Sequence, residues 1–177
     1  DVAAAADRAG DDGAGVDADA DLQLVAVAVA HRDGQRYYDL WNGAELAPRI
    51  DAIRIPFVID HMGRVKAKGG LEQPAFRSLL ELMRNDRAWV KICGAERVSS
   101  EGAPFHDALP FARALVSVAP DRVLWGTDWP HPNIAGDMPN DGDLLDLLAE
   151  AVTDEPARRK ILVDNPARLY WSEEQTA

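Results

Sequence analysis

The chain has a single cysteine, Cys93, among its 177 residues. One thiol cannot close an internal disulfide, so the fold must rest on burial and hydrogen bonding, and a reducing cytoplasm suits it. It has no apolar run of about 18 residues, which leaves no candidate membrane span. Basic residues are also scarce: 19 Lys and Arg stand against 30 Asp and Glu, a formal net charge of -11. That balance argues against a nucleic-acid partner, which would need a basic surface. It leaves room for a small anionic substrate, because a few local arginines can outweigh the global field. The N-terminus lacks both the basic residues and the apolar segment of a signal peptide. Neither a His-x-His pair nor His-Glu-x-x-His occurs. Zinc sites need three or four His, Cys or carboxylate ligands. His61 and Asp128 offer two, so the expectation is no metal and no cofactor, with zinc as the alternative.

What is present is organised unevenly. Residues 1–21 are almost entirely Ala, Asp and Gly. Such a composition cannot build a core and reads as a disordered tail. Residues 22–30 alternate Val and Ala and read as a strand, with a buried helical turn as the alternative. A turn at 31–34 and a polar-aromatic stretch at 35–38 follow. A helix is expected over 44–53, with Pro48 in its first turn or breaking it.

From residue 55 a repeating order sets in. Strands are expected at 55–60, 89–93 and 122–127. Helices are expected at 73–85, at 105–119 with a late start at Pro110, at 143–152 with Asp143 as N-cap, at 154–163 and at the C-terminal 165–171. Strands alternating with helices predict a parallel α/β sheet, and right-handed crossovers bring the strand ends to one edge. A closed (β/α)8 barrel takes about 250 residues. The chain is therefore either a small open sheet or the C-terminal part of a TIM-type barrel, with residues 22–177 as the partial barrel domain.

Each of the three strands runs from apolar residues straight into polar ones. The segments are Ile55–Arg64, Trp89–Arg97 and Val123–Asn133. In a barrel, chemistry sits on the loops that follow the strands. Asp128 is thus the first candidate, as a general base on water; its structural alternative is a loop-stabilising carboxylate. His61 occupies the equivalent place and can polarise a carbonyl, ligate a metal or orient a base, or be a histidine packed under a loop. Asp60 faces away at a strand period of two and reads as structural. Arg64 and Arg97 have the forked geometry that binds carboxylates, or they are surface ion pairs. His131 and Asn133 either line the same pocket or belong to a rigid proline-framed turn. Tyr37 is a weaker candidate for a substrate hydrogen bond. His31 and His106 read as surface residues, and Cys93 as core rather than nucleophile.

The segments PFVIDHMGRV (56–65), WVKICGAERVS (89–99), RVLWGTDWPHPN (122–133) and DNPARLYW (164–171) together resemble the amidohydrolase superfamily, in its amidohydrolase-2 type. The resemblance covers residues 44–171 and points to the branch that opens the lactone ring of 2-pyrone-4,6-dicarboxylate in aromatic degradation. It implies a (β/α)8 barrel and a hydrolase. By this resemblance Asp128 activates water and His61 helps polarise the lactone carbonyl. Arg64, Arg97, His131 and Asn133 gather substrate carboxylates, and Tyr37 matches a substrate-contacting tyrosine. The branch works without a metal, arginines and histidines standing in for the Lewis acid.

The chain departs from the family in lacking the His-x-His first strand and the early arginines, and residues 1–34 carry no likeness to it. The expectation is a C-terminal half, weakly active or inactive alone, that self-associates through open barrel edges. A metal-dependent amidohydrolase or decarboxylase, and a non-catalytic barrel fragment, are the competing readings.

Overall fold

The computed structural model describes residues 53–132, 134 and 136–171, and the backbone alone of 23–29 and 36–41. The predicted tail at 1–21 and all but the last residue of the helix predicted over 44–53 lie outside the described residues. Five strands form one sheet in the order β2-β1-β3-β4-β5. They are β1 (Gln23–Val29), β2 (Arg36–Trp41), β3 (Phe57–Ile59), β4 (Ala88–Lys91) and β5 (Val123–Leu124). The pairs β3–β4 and β4–β5 are parallel, as the alternating pattern predicted.

The N-terminal part corrects two expectations. The polar-aromatic stretch is in fact strand β2, paired antiparallel with β1. The sheet is mixed rather than parallel throughout, because β1 also pairs antiparallel with β3. A tight reversal joins antiparallel neighbours, whereas a parallel pair needs a long crossover, and the short 30–35 link permits only the former.

The helices are α1 (Pro74–Leu82), α2 (Ala95–Val98), α3 (Leu109–Val118), α4 (Asp141–Ala151), α5 (Glu155–Arg159) and α6 (Asn165–Tyr170). Pro74 sits in the first turn of α1, where its missing N–H has no helical partner to lose. Helix α3 follows a 3-10 turn at His106–Ala108 and has Pro110 in its own first turn. The N-cap of α4 is Asn140, not Asp143: the Asn140 side chain accepts from the amides of Gly142 and Asp143. The expected single helix at 154–163 is a short α-turn, α5, passing into a π-turn at Lys160–Asp164.

The period of two along each strand sorts the core onto two faces. Phe57, Ile59, Val90 and Val123 face the helical side with Phe76, Leu79, Phe111, Leu115 and Leu148. The rings of Phe76 (α1) and Phe111 (α3) meet edge to face at 4.8 Å. Val58, Trp89 and Leu124 form a second, smaller cluster on the other face, beside Leu169. The Arg168 guanidinium lies over the Trp89 ring at 5.0 Å.

Strand β5 has only two residues, so its position depends on anchors outside the ladder. Asn165, 3% exposed, donates its amide to the carbonyls of Pro120 (3.0 Å) and Val123 (2.8 Å). Arg122 donates to the Ala88 carbonyl at 3.1 Å and the Met83 carbonyl at 2.6 Å, joining the entry of β5 to that of β4. Replacing Asn165 by Ala deletes both bonds and strands two carbonyls. The expected loss is about 2 kcal/mol, read as a lower urea midpoint at unchanged slope; an unmoved midpoint would show that the anchor is dispensable.

Candidate active site

The carboxyl ends of β3, β4 and β5 converge on one polar cluster. After β3 the chain makes a left-handed turn over His61–Arg64, with φ of 52° at His61, Met62 and Arg64 and 67° at Gly63. Left-handed backbone is unfavourable for residues with a Cβ. The turn is closed by the Gly63 amide donating to the Asp60 carbonyl at 2.9 Å. Asp60 is buried and takes Lys91 Nζ at 2.7 Å, the structural role expected for it. Burial works against the Lys91 ammonium, but the Asp60 charge and hydrogen bond outweigh it and raise its pKa.

After β4 the chain passes through Cys93 and Gly94 into α2. Gly94 has φ of 75°, and a Cβ there would lie 2.8 Å from Cβ and Nδ1 of His61. Only glycine lets the two loops approach this closely. Beyond β5, Asp128 (φ 69°) and His131 (φ 54°) are also left-handed, and the His131 amide donates to the Asp128 carbonyl at 2.7 Å.

Arg97 joins the last two loops. It is 9% exposed. Its Nε donates to Asp128 Oδ2 at 2.7 Å, and a terminal nitrogen lies 2.5 Å from the same oxygen. That terminal nitrogen also donates to the Pro132 carbonyl at 2.9 Å. The guanidinium is thus buried and committed to protein oxygens. On the far side of the carboxylate, His61 Nε2 is 3.5 Å from Asp128 Oδ1.

Burial lowers the His61 pKa; Asp128 and Asp60 oppose the shift, while Arg97 and Arg64 add to it. The imidazole is therefore neutral at physiological pH. Its Nδ1 lies 3.4 Å from Cys93 Sγ. Burial pushes the Cys93 thiol up to about 12. The Asp128 carboxylate facing Nε2 can only accept, which favours the ring proton on Nε2 and leaves Nδ1 to accept from the thiol.

Asp128, His61 and Arg97 thus meet as the sequence anticipated. Arg64 is half-buried in the turn beside His61. His131 is buried, with Nε2 3.1 Å from Asp141 Oδ1. Asn133 lies outside the described residues, and Tyr37 falls in β2, of which the backbone alone is described. His106 is exposed and pairs with Glu150 at 3.2 Å, in keeping with a surface role.

Glu96 is the residue that sequence reasoning passed over. Its side chain is 4% exposed, and its nearest cation is Arg97 Nε at 3.5 Å. Burial raises its pKa and so does Asp128; its own backbone amide and the charges of Arg97 and His131 work against the rise. The signal was present in the polar run after β4, but nothing in the sequence separates an inward Glu96 from a solvated one.

This arrangement matches a known family. The amidohydrolase family matches residues 8–171. The chain belongs to the amidohydrolase family. The match reaches further toward the N-terminus than the 44–171 covered by the quoted motifs, into a segment that on its composition had carried no likeness. Among curated relatives, the chain is 51% identical over 127 residues to a 4-sulfomuconolactone hydrolase of Hydrogenophaga intermedia, covering 71% of the chain and 42% of the relative. It is 40% identical over 147 residues to a 2-pyrone-4,6-dicarboxylate hydrolase of Comamonas testosteroni, covering 78% of the chain and 48% of the relative. A crystal structure of a probable 2-pyrone-4,6-dicarboxylic acid hydrolase from Acinetobacter baumannii, with citric acid bound, superposes with a TM-score of 0.60 at 26% identity. That likeness covers 71% of this chain and 47% of the neighbour.

The fold is accordingly a portion of an amidohydrolase (β/α)8 barrel, and the chain spans less than half the length of the curated relatives it matches. Among the described residues, no helix is long and apolar enough to cross a membrane.

The Cys93 thiol gives a direct check on the site. At pH 8 the folded chain should resist iodoacetamide, and it should react once unfolded in urea, where the thiol returns to its ordinary range near 8.5. Rapid labelling of the folded chain, followed by mass spectrometry, would contradict the buried contact with His61.

Proposed function

We propose that this chain forms part of a cytoplasmic hydrolase that opens the lactone ring of a small, acidic, pyrone-like substrate. The observation that carries the reading is Asp128 at the end of β5, gripped by Arg97 on one oxygen and faced by His61 at 3.5 Å on the other. A carboxylate so placed can take a proton from water as the water oxygen attacks the lactone carbonyl carbon. The ring C–O bond then breaks, and the departing ring oxygen takes up a proton, leaving a ring-opened acid. Neutral His61, with its proton on Nε2, can donate to the oxygen that becomes negative during attack.

Substrate carboxylates fall to Arg64, His131, Asn133 and Tyr37 in this reading. Arg97 contributes through Asp128, which it holds in place. The identities of the curated relatives support ring hydrolysis, since both act on lactones by name. The citric acid in the Acinetobacter neighbour supports a site that accepts several carboxylates. The net charge of -11 makes local arginines necessary for such a ligand. Further barrel strands joining the open sheet edges complete the reading.

The test is a chimaera that joins the N-terminal half of the Hydrogenophaga intermedia relative to residues 53–171 of this chain. It should hydrolyse 4-sulfomuconolactone or 2-pyrone-4,6-dicarboxylate, followed by absorbance, while the 177-residue chain alone is weak or inactive. Asp128→Asn in the chimaera should lower kcat by a factor of about 100 to 10,000. A folded chimaera with no turnover of either lactone would overturn the reading. Turnover unaffected by Asp128→Asn would remove Asp128 as the base.

A further inference from the structure

We propose that Cys93 is a positioning residue for the ring-opening step: its thiol donates a hydrogen bond to Nδ1 of His61 and so holds the imidazole as an uncharged ring whose single proton sits on Nε2. The two residues come from different loops. Cys93 lies between β4 and α2, and His61 opens the left-handed turn after β3. Cys93 is 5% exposed, and its Sγ stands 3.4 Å from Nδ1.

The contact at Nδ1 governs the ring more than the contact at Nε2 does. Nε2 is 3.5 Å from Asp128 Oδ1. A well-made N–H···O bond spans about 2.7–3.2 Å, so Asp128 supplies charge on that side rather than a tight bond. Its other oxygen is taken by Arg97. The Nδ1 edge, by contrast, is packed against the Cys93–Gly94 segment. A Cβ at Gly94 would meet His61 Cβ and Nδ1 at 2.8 Å. Ring rotation is therefore fixed from the sulfur side.

The direction of the bond follows from what else the sulfur does. A hydrogen bond from the His61 backbone already occupies it as an acceptor. Burial keeps the thiol protonated, pushing it up to about 12. Its proton is left for Nδ1. A carboxylate in the same place would accept from Nδ1 and draw a second proton onto the ring. A thiol donates without adding charge, and a bond to the neutral imidazole favours the neutral form. The charged groups facing His61 are divided: Asp128 and Asp60 favour the cation, while Arg97 and Arg64 oppose it. The Cys93 bond weights that balance toward the uncharged ring.

The consequence for catalysis rests on the ring-opening reading. A cationic His61 would pair with Asp128 and weaken it as a base toward water. An uncharged His61 leaves the Asp128 carboxylate able to take that proton, and still presents Nε2–H to the oxygen that becomes negative. Cys93 does not meet the substrate; it acts through His61.

The experiment uses the full 177-residue chain with its four histidines labelled with nitrogen-15. Long-range proton–nitrogen NMR reads the protonation of each ring nitrogen, and His61→Gln identifies the His61 signals. In the parent, His61 should show a bare Nδ1 and a protonated Nε2. A proton on Nδ1 of the neutral ring would overturn the assignment, and this check needs no variant to fold. Cys93→Ala should raise the ratio of cationic to neutral His61 at a given pH by a factor of about 2 to 10, the worth of one net hydrogen bond. Cys93→Ser keeps a donor and should restore the parent ratio. A ratio in Cys93→Ala equal to the parent's, or a ratio in Cys93→Ser equal to that in Cys93→Ala, would refute the bond. In the chimaera, Cys93→Ala should lower kcat by a factor of about 2 to 10 at unchanged KM, with Cys93→Ser again restoring it. An unchanged kcat in Cys93→Ala would remove the positioning role. A chimaera without turnover would instead sink the ring-opening reading, while the protonation of His61 would still be decided in the 177-residue chain.

Discussion

The buried ion pair between Arg97 and Asp128 is the constraint on which the rest of the site depends. It joins the loop after β4 to the loop after β5 and reaches on to the Pro132 carbonyl. Asp128 sits in left-handed backbone on a loop that follows a strand of only two residues. The ladder alone could not hold such a residue in place. A charge-assisted hydrogen bond inside a low-dielectric cluster can, because losing it would leave the half-buried Asp128 carboxylate without its cation. The direction and distance of His61 relative to Asp128 follow from the same arrangement.

Around that pair the structure concentrates unfavourable elements in a small volume. Left-handed residues, a desolvated histidine and a buried glutamate all lie at the carboxyl ends of the strands. Such features persist only where surrounding packing overrides them. Here the support comes from the helical face, where Phe76, Leu79, Phe111 and Leu115 are almost wholly buried. It also comes from anchors such as Asn165 and Arg122, which fix the short strands from below. The pair Asp60 and Lys91 takes a buried carboxylate out of competition for the same cations.

Much of this was legible in the chain, and the limits have physical causes. The parallel β3–β4–β5 unit could be read because each strand is a short apolar run followed at once by polar residues and breakers. Asp128, His61 and Arg97 emerged from that grammar and from the family likeness. The antiparallel placement of β1 did not, because Val/Ala alternation specifies a strand but not its partner. Strand β2 was hidden because Arg36–Trp41 mixes polar and aromatic residues without a clean period. The cap of α4 went to Asn140, since several acceptors compete within three residues and only loop geometry chooses among them. Glu96 was obscured for a related reason: in a four-residue helix, a rotation of about half a turn separates a buried carboxylate from a solvated one. That Arg97 serves Asp128 before any substrate depended on a tertiary contact between residues 31 positions apart.

The antiparallel seat of β1 on β3 has an architectural consequence. In an all-parallel barrel, the flank of β3 would be the seam that receives the preceding strand. Here that seam is already hydrogen-bonded from Val27 to Val29. Any polypeptide that closes the ring must therefore dock on β2, dock on β5, or peel the hairpin away first. Ring closure thus becomes an exchange of one strand pairing for another rather than a simple addition.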